Sequence, residues 1–109
     1  MLELKLRIDG KLRTFKQKDV SARAMRNMMA FYSKMEKVEK GKLELSVLEM
    51  LDEMIVLVAG LFLDEAVNFD SILDGITADE LFPTLQGVLE GVADMGKQKQ
   101  MAQTTLALA

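Results

Sequence analysis

A mainly α fold, an N-terminal β-hairpin followed by a small bundle of three to four helices, is predicted by three observations. The stretch "LELKLRI" at 2–8 alternates apolar and charged residues and is followed by Asp9-Gly10, a dipeptide suited to a tight type I′ turn. Beyond Ser21, apolar residues recur at spacings of three and four instead of two. A chain of 109 residues is one domain by length, and it can bury enough surface to fold without disulfides or metal.

The hairpin is expected over 2–16. Leu2, Leu4, Leu6 and Ile8 share one face of the first strand, and "KLRTF" resumes the alternation with Leu12 and its neighbours Arg13 and Phe15. A lone hairpin is marginal in water, so it should pack on the helices or pair with another edge.

Ser21 is the expected N-cap of the first helix, which runs to about Glu39 before Gly41 stops it. Val20, Ala24, Met28, Phe31, Met35 and Val38 form its apolar stripe, and Arg23, Arg26, Lys34 and Lys37 lie off it. The second helix is expected from Ser46, with Glu49 completing a capping box, to about Phe62. Its first half sets Leu48, Leu51 and Ile55 against Glu49, Asp52 and Glu53. Its second half is apolar nearly all round, which predicts a central helix, a subunit contact, or both.

Residues 63–76 read as a connector with a short helical turn capped by Asn68 or Asp70, Phe69, Ile72 and Leu73 inward, and Asp74-Gly75 turning the chain out. The last helix is expected from about Ala78 to Met95, started by a Thr77–Glu80 capping box and buried through Leu81, Leu85, Val88, Leu89 and Val92. Pro83, the only proline, sits inside that pattern and predicts a break or kink near Phe82. Gly87 and Gly91 allow a neighbour to approach closely. A single domain over 1–95 is therefore expected, followed by a mobile tail over 96–109, where "KQKQMAQTTLALA" lacks periodicity.

Composition narrows the function. Neither cysteine nor histidine is present, so thiolate nucleophiles, histidine-based triads and the usual zinc sites cannot be built, and no enzyme activity is expected. The acids around Asp64, Glu65, Asp70, Asp74 and Asp79 do not fit the spacing of a calcium loop, and no metal or other cofactor is expected. The longest apolar run, "MIVLVAGLFL", is about half of what a membrane span needs, so no membrane association is expected. Through Lys42 there are twelve Lys or Arg against five acids, a balance of +7; from Leu43 onward two lysines face twelve acids, a balance of −10. Such halves suit attraction between subunits, and a homo-oligomer is expected. Nine methionines are read first as filler of a small helical core, with adaptable apolar surface as the alternative.

Four stretches, "IDGKLRTF" at 8–15, "SARAMRNMMAF" at 21–31, "LDEMIVLVAGLF" at 51–62 and "FDSILDGITADELFPTL" at 69–85, occur in an order that resembles the tail assembly chaperones of long-tailed phages, particularly those infecting Gram-positive bacteria. The chain departs from that pattern at "LDEAVN", 63–68, which leaves the length of the second helix open. The resemblance implies a helical protein of the infected host's cytoplasm, absent from the mature virion. Such a protein coats the tape measure protein and keeps it soluble until tail tube subunits polymerise around it. It also implies a short form, with a longer frameshifted form recruiting the tube protein; Gly96-Lys97 is a dipeptide that a slippery run of G then A nucleotides can encode.

The family carries no catalytic motif, so candidate site residues are contact surfaces. Met25, Met29, Tyr32, Leu57, Leu61, Phe62, Phe82, Leu85 and Leu89 are the apolar candidates, and Arg23, Arg26, Lys34 and Lys37 the electrostatic ones. The alternative reading is a small helical nucleic-acid-binding or regulatory protein that grips phosphate with those four cations. Without a phosphate loop or aromatic interleaving, nucleic acid is the less favoured partner.

Overall fold

The computed structural model describes the backbone of residues 1–108 and the side chains of residues 1–95. Two strands, β1 (Leu2–Ile8) and β2 (Lys11–Gln17), precede four helices: α1 (Ala22–Glu39), α2 (Val47–Ala59), α3 (Phe69–Gly75) and α4 (Leu81–Leu108). The fold is thus mainly α with an N-terminal hairpin, as the sequence pattern predicts. The tail expected to be mobile over 96–109 lies outside the residues whose side chains are described.

The strands pair antiparallel with Ile8 opposite Lys11, so the turn has two residues, Asp9 (φ 53°) and Gly10 (φ 77°). Positive φ at both positions is the type I′ requirement that Asp-Gly satisfies. The register sets Leu4 opposite Phe15 and Leu6 opposite Arg13. Leu2, Leu4, Leu6 and Phe15 consequently bury on one face, whereas Leu12 falls on the other with Arg7 and is exposed. The Arg13 guanidinium lies 4.9 Å from the centre of the Phe15 ring. At the far end of β2, the Gln17 side chain accepts from the Leu63 amide (3.1 Å) and donates to the Asp19 carbonyl (2.9 Å), which ties the hairpin to the α2–α3 connector.

Each of the first three helices is started by a side chain close to it. Ser21 Oγ accepts from the Ala24 amide (3.0 Å) and Ser46 Oγ from the Glu49 amide (3.1 Å). The Glu49 carboxylate accepts from the Ser46 hydroxyl, not from its backbone. Asn68 and Ser71 form a full reciprocal capping box at α3, each side chain accepting from the other's amide at 2.9 Å. Gly41, at φ 72°, closes α1.

Helix α4 continues to Leu108 instead of ending at about Met95, and three further features differ from expectation. Helix α2 stops at Gly60 instead of Phe62, because the Leu61 and Phe62 amides donate to carbonyls three residues back and swing both side chains into the core. Gly75 is buried and does not turn the chain outward: a Cβ there would stand 3.1 Å from the Arg7 carbonyl oxygen, so its bareness lets α3 lie on β1. Helix α4 starts at Leu81 instead of Ala78. Thr77 takes the Glu80 amide on its backbone carbonyl (3.1 Å), making a separate turn, and Pro83 then falls in the first turn of α4, where its missing amide costs no helical bond.

The core lies between the inner hairpin face, α3 and α4, with α2 packed on α3 and α4, and α1 laid across α2 and α4. Leu85, Val88, Leu89 and Val92 of α4 are buried as the spacing predicts, and Ile72 anchors α3. Two inward expectations fail. Leu73 is 41% exposed, since α3 is only seven residues long and turns one face to the core. Leu48, 66% exposed, sits in the first turn of α2, beyond the end of its buried face at Met54, Ile55 and Val58.

Candidate functional site

Helix α1 is the least buried of the long elements: of its 18 residues, only Met28 is buried. A helix this shallowly seated leaves a groove along each flank, and both grooves are concave and largely apolar.

The first groove, about 600 Å³, runs between α1 and α2. Its α1 wall is Ala24, Asn27, Ala30, Phe31 and Lys34, and its α2 wall is Asp52, Glu53, Val56, Leu57 and Gly60. Small side chains on both walls let a neighbouring backbone come close. Val56 is exposed at its edge, so the apolar half of α2 is not covered on all sides as its composition suggested. Lys34 and Glu53 form an ion pair across this groove, and Glu53 Oε2 is buried without a hydrogen-bond partner.

The second groove, about 440 Å³, is bounded by three helices. Phe31, Tyr32, Met35 and Glu39 come from α1; Val47, Met50 and Met54 from α2; Phe82, Gln86 and Glu90 from α4. Each set repeats at helical spacing, so each helix presents one continuous stripe. Three of the nine methionines line it, and the Phe31 and Tyr32 rings meet edge-on at 5.8 Å. Burial holds the Tyr32 phenol pKa above its ordinary value, with the Glu90 charge adding to the effect.

The apolar candidates divide between surface and core. Tyr32 and Phe82 meet in the second groove, Leu57 lines the first, Met29 is exposed, and Met25 is half-buried against the core. Leu61, Phe62, Leu85 and Leu89 are core residues, not contact surface, because the short α2 turns the first two inward and the α4 stripe packs on the hairpin and α2. Among the cations, Arg23, Arg26 and Lys37 are exposed, whereas Lys34 is half-buried and already paired. Sequence reasoning missed Val47, Met50 and Met35 as groove residues. Val47 carried a signal, a large apolar side chain directly after the Ser46 cap and off the buried stripe.

The family described as phage tail chaperone protein matches residues 1–106, nearly the whole chain. The chain belongs to the phage tail chaperone family. Neither the comparison with curated proteins nor that with solved structures gives a match. Among the described residues, no helix is long and apolar enough to cross a membrane.

Proposed function

We propose that this tail chaperone binds the tape measure protein during tail morphogenesis and keeps it soluble, acting by binding and not by catalysis. The observation that carries the reading is the three-helix groove, an apolar channel with methionine and aromatic walls and exposed Val47 and Phe82 at its rim. Methionine side chains reshape at little cost, which suits a client presenting many related segments. Resemblance to the family's short forms supports action in the cytoplasm of the infected host. It also supports a longer, frameshifted form that recruits tail tube protein, and absence from the mature virion. The opposed charges of the two halves support a homo-oligomer along the client.

Co-expression with the cognate tape measure protein tests the reading. The native chain should move the client into the soluble fraction, and the pair Val47→Ser, Phe82→Ser should lose most of that rescue. Both positions lie in the first turns of helices and outside the buried core, so the variant should keep its fold, which far-UV circular dichroism checks. A client that stays insoluble with the native chain, or is rescued equally by the variant, contradicts it.

A further inference from the structure

We infer that the groove between α1, α2 and α4 selects an amphipathic helix whose apolar stripe is flanked by Lys or Arg. The inference rests on the client-binding reading above and narrows the client segment to a chemical class.

The preference for a helix follows from what the walls offer. All three walls are α-helices, whose backbone amides and carbonyls are already paired along each helix. An extended segment laid between them would find no sheet edge to bond with and would bury unpaired backbone groups. A helix satisfies its own backbone and brings only side chains. Tyr32, Met35 and Glu39 on α1 span about two helical turns, which matches apolar residues at i, i+3 or i+4, and i+7 of an occupant.

The preference for basic flanks follows from the rim. Glu39 stands on the α1 bank and Glu90 on the α4 bank, both exposed. Among the described residues neither is in a salt bridge: the two that form join Lys34 to Glu53, in the other groove, and Lys40 to Glu36. Among the described residues, no lysine or arginine lines this groove. The raised pKa of Tyr32, to which Glu90 contributes after burial, is in keeping with a negative potential inside it. Acids on both banks of an apolar channel attract cations on both flanks of an entering helix and repel anions there.

The test uses the full chain and two synthetic helix-forming peptides of identical apolar spacing, one flanked by lysines and one by glutamates. At low salt the lysine-flanked peptide should bind about tenfold tighter, with the gap narrowing as salt rises. Glu39→Lys combined with Glu90→Lys should reverse the order, and far-UV circular dichroism should show the helices intact. Equal affinities, tighter binding of the glutamate-flanked peptide, no binding of either, or an unreversed order in the double variant overturns the inference. If the native chain still rescues a tape measure protein in any of those cases, only the charge rule is lost; absence of rescue removes the client reading with it.

Discussion

Three glycines on two helices face different surroundings, and a methyl group added to each separates their roles. At Gly75 a Cβ would meet the Arg7 backbone and Leu6 Cβ at 3.1–3.2 Å, atoms fixed by the strand pairing. Gly75→Ala should therefore destabilise by about 1–3 kcal/mol, as overpacking does. At Gly91 the nearest atom is the end of the Leu2 side chain, at 3.0 Å, which can rotate away. Gly87 has nothing within 4 Å and lies inside α4, so Gly87→Ala should stabilise by roughly 0.5–1 kcal/mol through helix propensity alone. Urea midpoints of the two variants should shift in opposite directions, and a shared direction would refute this account of the packing. Tyr32 offers a second check, since it is the only tyrosine and there is no tryptophan to obscure its absorbance. Its ionisation midpoint should lie above 10.0, held up first by burial and then by Glu90, and Glu90→Gln should lower it without restoring the ordinary value. Because the folded pKa exceeds the unfolded one, the stability linked to this phenol is present below about pH 10 and is lost as pH rises through the folded value.

At the scale of elements, what could be read from the sequence is what short-range chemistry encodes. Asp9-Gly10 fixes a two-residue turn, and Ser21, Ser46 and Asn68 each satisfy an amide three residues on, so the hairpin and three helix starts are written locally. Asn68→Ala removes one half of the reciprocal box at a helix of only seven residues, and should cost about 1–2 kcal/mol, read as a lowered melting midpoint; no change would mean that Ile72 burial alone holds α3. Pro83 was legible as a boundary, and the boundary lies two residues before it, because the first turn of a helix needs none of its own amides. Less legible was the destination of apolar residues near helix ends. Leu61 and Phe62 continue an apolar run yet enter the core from a turn, and Val47 and Leu48 open an amphipathic helix yet face outward. Periodicity assigns a face to a stripe but not the point at which the neighbouring element stops covering it. The candidate groove depends on that point, because it lies where α1 fails to cover α2 and α4, and so only Tyr32 and Phe82 of its lining were anticipated as contacts.

At the scale of the whole molecule, charge is distributed so that folding neutralises little of it. The chain carries +7 through Lys42 and −10 beyond it, yet among the described residues only one ion pair, Lys34 with Glu53, joins the two halves. The remaining Arg23, Arg26 and Lys37 on α1, and Glu49 at the start of α2, are exposed. Complementary charges left unpaired within one copy can be paired between copies, and a basic region meeting an acidic one is a heterologous contact, which closes into a ring or extends as a filament. Such assembly would set chaperone copies in series along a long client, multiplying weak groove contacts by their number. Sedimentation should therefore detect species larger than the 12.2 kDa monomer at low ionic strength and high protein concentration. They should disperse as salt shortens the screening length toward ~3 Å at 1 M. Arg23→Glu with Arg26→Glu should weaken assembly at low salt while leaving the fold unchanged, since both side chains are exposed. A strict monomer at low salt would remove electrostatic self-association, and assemblies indifferent to salt would assign the contact to the apolar surfaces instead.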